Sequence, residues 1–141
     1  MAANSDVEYV TKTTDLDGVQ THGFFVGWPN APSEATFQRL LHGSARFIAA
    51  LDRSVNRLVG FVTAISDGTL CAYIPLLEVL PEYQGRGIGT ELMQRMIDTL
   101  SDHYMIDLLC DERMQPYYER LGMKRAHGMM IRRYENQSGR T

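Results

Sequence analysis

The sequence predicts one α/β domain built on a mixed sheet, and two observations support this prediction. The 141 residues are 44% apolar and 22% charged, which is the balance of an ordinary globular domain with a single core. An apolar run at 70–80 leads into a glycine-rich loop, a helical pattern at 87–100 and another apolar run at 105–110. Such a strand–loop–helix–strand unit supplies a right-handed parallel crossover, within a sheet that the earlier turn-linked strands make mixed.

The elements before the glycine loop follow from residue alternation and turn residues. Ser33 can cap a helix that ends near Gly43 and whose apolar residues recur at helical spacing. Pro75 lies inside the longest apolar run and indicates an irregular position, because proline donates no hydrogen bond to a sheet ladder. The strands expected in this half span residues 7–13, 47–51, 58–65 and 70–80.

The elements after the loop follow in the same way. Apolar residues recur at helical spacing from Gly87 to Leu100, which predicts a helix. A short helix is expected from Gln115 to Leu121, because Gly122 follows as a stop signal. Further strands are expected at 105–110, 123–126 and 129–134, with a polar, frayed tail from residue 135 onward.

Composition and charge exclude several classes of function. The formal net charge is −3, so nothing indicates a nucleic-acid partner. No apolar run has the length of a membrane span and no leader pattern opens the chain, so no membrane partner is expected. The four histidines show no metal motif, and neither Cys71 nor Cys110 has ligand spacing. Both cysteines lie in apolar runs, which predicts buried free thiols and a cytoplasmic location.

Three glycines at alternate positions, Gly85, Gly87 and Gly89, form the most informative motif of the chain. Without side chains they let the main chain approach another molecule closely, and the helix that follows offers free N–H groups at its positive end. This arrangement predicts phosphate binding without a lysine. A Walker loop needs a lysine after its last glycine, and a dinucleotide fingerprint needs a glycine where Thr90 stands, so both fail.

The motif that matches is Gln84-Gly85-Arg86-Gly87-Ile88-Gly89, preceded by Val79-x-Pro81-x-Tyr83. A second motif, Tyr117-Tyr118-Glu119-Arg120-Leu121-Gly122-Met123, follows the next expected strand. In these motifs and their spacing the sequence resembles the GNAT superfamily of acyl-CoA-dependent N-acyltransferases, although the family usually has an aromatic residue in place of Met123. The N-terminal half is more weakly similar to plastid and serotonin-type amine acetyltransferases, through Val26-Gly27-Trp28-Pro29, Leu58-Val59-Gly60-Phe61 and Ser66-Asp67-Gly68.

The resemblance implies a fold and a domain layout. A single GNAT-type N-acetyltransferase domain would span 1–141, with six to seven strands splayed at the parallel pair around the cofactor and about four flanking helices. Residues 70–125 would form the cofactor-binding core, 15–43 the acceptor side and 135–141 a polar tail. A homodimer is the protein partner that the family and the apolar C-terminal strands suggest.

The resemblance also implies acetyl-CoA as the co-substrate, without a metal. Its pyrophosphate would lie on the amides of the glycine loop, and its pantetheine arm would pair with strand main chain that a bulge leaves free. The hydroxyl of Thr90 and the guanidinium of Arg86 would add donors to phosphate, and Tyr117 would lie against cofactor or core. The cofactor-binding residues implied by the match are Leu77, Val79, Gln84, Gly85, Arg86, Gly87, Ile88, Gly89, Thr90, Pro116 and Tyr117.

Acyl transfer to an amine needs one group that takes the amine's proton and another that protonates the departing sulfur. Tyr118 matches the family's proton donor, the alternative being a packed aromatic. Glu78 is the first candidate base because it is the only acid in the run 70–80, where an isolated carboxylate is costly. A structural or substrate-orienting role for Glu78 is the alternative. Asp111, at a strand end, is the second candidate base, and Tyr73 is a relay or a packing residue.

The acceptor side is expected to use aromatic residues of the turn-rich segment. Phe24, Phe25 and Trp28 would cover an apolar amine, unless they only attach the loop to the core. The other candidate substrate-binding residues are Tyr73, Cys110 and Asp111.

These patterns together predict an acetyl-CoA-dependent N-acetyltransferase that works by direct attack in a ternary complex. The expected acceptor is a primary amine of a small molecule, of the aralkylamine or polyamine type. Two alternatives stay open, namely a protein lysine or N-terminal acetyltransferase and a non-catalytic acyl-CoA-binding regulatory module.

Overall fold

One sheet organises the chain, and the computed structural model describes residues 6–139. In this range the sheet has five strands in the order β1-β2-β3-β4-β5. The first three neighbouring pairs are antiparallel, and β4 and β5 are parallel. The strands are β1 (Val7–Val10), β2 (Arg46–Asp52), β3 (Arg57–Ser66), β4 (Cys71–Val79) and β5 (Met105–Asp107).

Three α-helices of the described chain accompany this sheet, namely α1 (Glu34–Gly43), α2 (Ile88–Thr99) and α3 (Gln115–Glu119). Helix α1 begins as expected at Ser33, whose side-chain oxygen accepts a hydrogen bond from the N–H of Thr36 at 3.1 Å. Short 3-10 turns lie at Thr13–Leu16, Pro81–Tyr83, Glu112–Met114 and Tyr134–Asn136.

The two faces of the sheet are covered by different helices. Alternate side chains of β2, such as Phe47 and Ala49, join the apolar cluster of α1 on one face. The residues between them, Ile48 and Ala50, join the cluster of α2 on the other face. This alternation is the period-two pattern of a strand that is buried on both sides.

Strand β4 has a bulge halfway along its length, at the point where its pairing with β5 ends. The register of β3 against β4 shifts between Thr63 and Ile65, opposite the position of Pro75. Strand β5 pairs with β4 only over Cys71–Tyr73, so the remainder of β4 has a neighbour on one side only. The irregularity that the proline predicts is therefore confirmed, and it opens a gap at the parallel pair.

The C-terminal strands are the main correction to the sequence-based elements. The expected strand at 105–110 ends at Asp107, and the strands expected at 123–126 and 129–134 do not form. The described sheet therefore has five strands in place of six to seven, with three α-helices in place of about four. A segment with alternating apolar and polar residues becomes a strand only where the open edge of a sheet runs alongside it, and the alternation does not show where that edge lies.

The tail and the cysteines also differ from expectation. The tail is held rather than frayed up to residue 139, since the N–H of Asn30 donates to Gln137 Oε1 at 2.9 Å. Residues 140 and 141 lie outside the described range. Cys110 is exposed beyond the end of β5 and Cys71 is half-buried, and both are free thiols. No helix of residues 6–139 combines the length and the apolarity that a membrane crossing requires.

Gly60 lets β3 and α2 pack closely, which yields a stability prediction. A β-carbon there would lie 3.1 Å from Leu92 Cδ1 and 3.3 Å from the carbonyl oxygen of Glu78. Gly60→Ala should lower the free energy of unfolding by about 1–3 kcal/mol, because the core is overpacked. Gly43→Ala is the control, since nothing lies within 4 Å of that β-carbon at the end of α1. Urea unfolding that gives Gly60→Ala the same stability as Gly43→Ala would contradict this account.

Candidate active site

The glycine loop turns the chain sharply between β4 and α2. Gly85 and Gly87 have φ angles of 79° and 81°, in the left-handed region that favours glycine. Gly87 is the N-cap of α2, and it has no side chain with which to cap the helix. The loop thus delivers the chain to the helix while leaving the helix end uncapped.

A row of free donors results from this turn. The first helical hydrogen bond is donated by the N–H of Glu91 to the carbonyl of Gly87 at 3.0 Å. The main-chain N–H groups of Gly85, Gly87, Ile88, Gly89 and Thr90 have no acceptor within residues 6–139. Unpaired amides at the positive end of a twelve-residue helix form a site that attracts a phosphate group.

A side chain just before the glycine loop holds this loop in place. The hydroxyl of Tyr83 donates to Asp52 Oδ2 at 2.5 Å, and Asp52 is itself buried at the end of β2. Hydrogen bonds from Ser54 and Tyr83 lower the pKa of Asp52, so this anchor is a carboxylate at neutral pH. Sequence reasoning did not find this contact, because 31 residues separate its two partners.

Two of the predicted cofactor-binding side chains also support the loop. Gln84 Nε2 donates to the carbonyl of Val79 at 3.0 Å. The guanidinium of Arg86 lies 4.6 Å from the ring centre of Tyr83 and donates to the carbonyl of Glu82 at 3.0 Å. Both contacts shape the loop from within, and contact of either side chain with phosphate stays a prediction.

The open edge of β4 presents the main chain of Leu77 and Val79. The N–H of Leu80 donates to the carbonyl of Val59 at 2.9 Å, which places this residue in the hydrogen-bonded register with β3. Hydrogen-bonding direction alternates along a strand, so Glu78 also faces β3 while Leu77 and Val79 face the gap. These two residues are the ones expected to pair with the pantetheine arm.

Helix α3 brings two tyrosines to the start of α2. Pro116 stands in its first turn, where a proline is well accommodated. The hydroxyl of Tyr117 accepts a hydrogen bond from Thr90 Oγ1 at 3.3 Å. The rings of Tyr117 and Tyr118 meet edge to face with their centres 5.0 Å apart. Tyr117 of the second motif therefore reaches the end of the glycine loop, and Tyr118 packs beside it.

Tyr118 is a half-buried phenol in an open cleft. Burial, and then the charges of Tyr117 and Cys110, raise its pKa to about 12. Its hydroxyl therefore keeps its proton throughout the neutral range and acts as a donor. Tyr73 and Cys110 line the same cleft, whose volume is about 1390 Å³. These three predicted site residues are brought together by the fold.

Glu78 binds the loop that precedes α1. Its Oε1 accepts from the N–H of Phe25 at 2.8 Å, and its Oε2 accepts from the N–H of Val26 at 3.2 Å. Phe25 has a φ of 62°, a conformation that costs a residue with a side chain about 1 kcal/mol or more. The carboxylate compensates for this strain and fixes the loop beside the gap, which agrees with the structural alternative for Glu78.

The aromatic residues of this loop divide into two groups. Phe25 is 5% exposed, and Phe24 packs at 5.2 Å from the ring centre of Phe61. The burial of Phe25 agrees with the alternative that these aromatic residues attach the loop to the core, and an acceptor contact of Phe25 stays a prediction. Trp28 stays exposed with its ring centre 4.9 Å from that of Phe25. Val26, which sequence reasoning did not select, is exposed beside it.

Asp111 does not converge on this site. It lies beyond β5 with an exposed side chain, 3.8 Å from Arg113. Among the described residues, no group of three His, Cys, Asp or Glu side chains is arranged to hold a metal ion.

Comparison with known proteins agrees with the geometry of the loop and the gap. The family model described as "Acetyltransferase (GNAT) family" matches residues 14–123. The chain belongs to the GNAT acetyltransferase family. Members of this family use acetyl-CoA as co-substrate, and the unpaired amides beside a strand with a free edge fit the pyrophosphate and pantetheine of that molecule.

Several proteins are similar to this GNAT chain, and the names of two of them refer to different acceptors. A solved structure of a putative acetyltransferase from Deinococcus radiodurans R1 is 45% identical, has a TM-score of 0.92 and covers 100% of this chain and 98% of its own. Histone acetyltransferase TAP1 of Glycine max is 31% identical over 109 residues, which are 70% of this chain. N-alpha-acetyltransferase 30 of Schizosaccharomyces pombe is 30% identical over 103 residues, covering 66% of this chain and 67% of its own. The chain spans about half the length of the soybean relative, 47%.

The glycine loop gives a binding prediction. Gly87→Ala should weaken the affinity for coenzyme A at least about tenfold, because a β-carbon at φ 81° forces the loop away from its conformation and displaces the free amides. Gly68→Ala is the matched control, with a φ of 77°, equally open surroundings and a position in the β3–β4 turn. Isothermal titration calorimetry should show normal affinity for the control. Equal losses in both variants would show that general strain, not the amide row, causes the effect.

Proposed function

We propose that this chain transfers the acetyl group of acetyl-CoA to a primary amine. The observation that carries the proposal is the set of unpaired N–H groups of Gly85, Gly87, Ile88, Gly89 and Thr90 beside the free edge of β4. Family membership supports the same reaction class. The chain corresponds to about half of its soybean relative, so the proposed activity is that of this domain.

Each part of the proposed site then has a task. The amides of Gly85 to Thr90 hold the pyrophosphate, and the main chain of Leu77 and Val79 pairs with the pantetheine amides. When bound, acetyl-CoA supplies a thioester whose acetyl carbon accepts the amine. The chain's contribution is to align that carbon with the amine, because positioning alone lowers the barrier substantially.

Tyr118 donates the proton that the departing sulfur needs. A phenol with a pKa near 12 is fully protonated at pH 7, so the donor is present whenever substrate binds. Its ring packs against that of Tyr117, whose hydroxyl accepts a hydrogen bond from Thr90 at the start of α2. A developing negative charge is stabilised at that end.

We call the segment from Phe25 to Trp28 the acceptor loop. Glu78 acts by holding this loop rather than as the general base. Both of its oxygens accept main-chain hydrogen bonds from Phe25 and Val26. A carboxylate with two such bonds fixes where the exposed loop residues Val26 and Trp28 stand relative to the gap. The amine's proton then leaves to water, and direct transfer to Glu78 is the competing role.

The acceptor that fits best is a cationic small-molecule amine of the aralkylamine or polyamine type. Trp28 and Val26 offer exposed apolar surface on the acceptor loop. Asp107, the last residue of β5, presents an exposed carboxylate in the wall of the cleft. Exposed apolar surface together with a carboxylate suits an ammonium group on a hydrophobic body.

A protein amine is the second candidate acceptor. The soybean relative is named as a histone acetyltransferase and the fission-yeast relative as an N-alpha-acetyltransferase. The open mouth of the cleft beside Tyr118 also admits an extended peptide. A lysine side chain or an α-amino group would enter past the same carboxylate of Asp107.

Turnover by Tyr118→Phe tests the proposed chemistry. Loss of the phenolic proton should lower kcat by about 10²–10⁴ with an unchanged affinity for coenzyme A. The matched variant Tyr117→Phe loses only the contact to Thr90, so its effect should appear in KM for acetyl-CoA and stay below about tenfold. Release of free coenzyme A is followed with phenethylamine, spermidine, a histone-tail peptide and a peptide with a free N-terminus.

The same panel decides between the candidate functions. Turnover of either small amine with none of the peptides supports the small-molecule acceptor, and the reverse pattern supports a protein acceptor. Binding of acetyl-CoA without turnover of any amine, in wild type and variant alike, would leave only the non-catalytic binding module.

The pH dependence of Glu78→Gln separates its two roles. Gln accepts through one oxygen only, so its NH₂ group opposes one of the two loop amides. A loop-holding Glu78 predicts a uniform loss of about tenfold in kcat/KM for the amine, with the acidic limb of the profile retained. If the acidic limb disappears in the variant, Glu78 is the general base and the loop-holding role is rejected.

A further inference from the structure

A second cavity lies at the end of the sheet opposite the glycine loop. Its volume is about 650 Å³, which is within the range of small-molecule sites. It is lined by the chain that leaves β1, the end of α1, the first residues of β2 and the C-terminal half of α2. None of its lining residues belongs to the glycine loop, to β4 or to α3.

Strand β2 lies between this cavity and the proposed active site. Its first residues, Arg46 and Phe47, line the cavity. Its last residue, Asp52, holds Tyr83 just before the glycine loop. A strand of this length spans roughly 20 Å. A small ligand in the cavity therefore does not reach the glycine loop.

The lining of the cavity is basic, although the whole chain has a formal net charge of −3. Lys12, Arg46 and Arg95 line it, and no Asp or Glu of residues 6–139 does. Positive groups around a concave space without a lining carboxylate create a local potential that attracts anions. The cavity therefore favours an anionic ligand.

Two of these cations are available to a ligand. The ammonium of Lys12 forms no ion pair or hydrogen bond within the described residues. Arg46 donates to the carbonyl of its neighbour Ala45 at 3.1 Å. Asp102, whose charge also acts on Arg46, is already hydrogen-bonded to His103 at 2.9 Å. Lys12 and Arg46 are both exposed and retain donors for an anion.

Arg95 forms a fixed wall of the cavity. Its Nε donates to Glu91 Oε2 at 2.7 Å, and its guanidinium carbon lies 4.4 Å from the ring centre of Tyr9. A guanidinium has five N–H donors, so this pairing leaves others for a ligand. Because Glu91 balances the charge of Arg95, the net attraction for an anion comes from Lys12 and Arg46.

Hydroxyl groups and an apolar floor complete the cavity. Leu41 and Phe47, which are 1% and 6% exposed, form this floor. Hydroxyls donate to the oxygens of an anion, and the floor accommodates an apolar body. Four threonine side chains line the cavity without a hydrogen-bond partner in the part of the chain that the structure describes, namely those of Thr11, Thr13, Thr14 and Thr99.

We propose that this cavity binds a small organic phosphate monoester. Lys12 and Arg46 bind the phosphate, the threonine hydroxyls donate to its remaining oxygens, and the organic body covers Leu41 and Phe47. A phosphate monoester fits better than a carboxylate, because its charge of about −1.5 to −2 and its three terminal oxygens match two cations and several hydroxyls. This site is independent of the proposed acetyl transfer, since it shares no residue with the cleft around Tyr118.

Titration with phenyl phosphate tests the site. Dephospho-coenzyme A is present throughout, because its diphosphate occupies the glycine loop and it has no phosphate monoester of its own. Isothermal titration calorimetry should show one binding event, which NMR should locate by shifts of the amide signals of Thr13, Thr14 and Thr99. Inorganic phosphate and benzyl alcohol should each bind at least about tenfold more weakly, since each offers only one half of the ligand. No amine is present, so failure here is distinct from failure of the proposed acetyl transfer.

Matched variants test the charges and the space separately. Lys12→Ala with Arg46→Ala should raise the Kd for phenyl phosphate at least about tenfold, because charge-assisted hydrogen bonds are lost. Lys124→Ala with Arg133→Ala removes the same two residue types at exposed positions outside the cavity and should leave the Kd unchanged. Ala45→Trp keeps every charge and fills the cavity that Ala45 lines, so it should abolish binding.

Several results would overturn the proposal. These are no binding of phenyl phosphate up to about 10 mM, equal losses in the two double variants, and unchanged binding to Ala45→Trp. Amide shifts confined to residues 85–90 would place the probe on the glycine loop and reject the second site. Equal affinity for inorganic phosphate would reject an organic monoester as the ligand. Circular dichroism and thermal unfolding of each variant confirm that it is folded.

Discussion

The whole site depends on the separation of β4 from β5 after Tyr73. A parallel pair would normally continue along both strands and satisfy their main chains. Here a bulge at Pro75 shifts the register of β4, and the pairing ends at Asp107. The gap turns the main chain of Leu77 and Val79 outward, and it directs the following loop to the start of α2. Strand β4, the glycine loop and the start of α2 therefore all present unpaired main-chain donors next to this gap.

Rigid anchoring keeps that space open. Tyr83 on Asp52, Gln84 on Val79 and the stacked Arg86 hold the glycine loop from below. Glu78 holds the acceptor loop from the same strand. Binding energy is therefore not used to order the loop, which is the advantage of a preorganised site. The anchors come from β2, β4 and the loop itself, so the full sheet supports the chemistry.

The sequence was sufficient to predict the parts that local chemistry determines. Helix α2 follows the glycine loop as the apolar spacing predicts, and Pro75 marks the bulge. Contacts between distant residues were not accessible to the same reasoning. Phe25 is buried by Phe37 and Phe61, and the partners of Glu78 lie 52 and 53 residues away. Alternation at 123–134 shows the ability to form strands, but it does not identify the edge that would receive them.

The exposed free thiol of Cys110 lies in the same cleft wall as Tyr118. An accessible thiol is open to oxidation, and a sulfinic group at this position would add bulk and a permanent negative charge to that wall. The cleft would then become narrower and more acidic without any change in the residues assigned to binding or proton transfer.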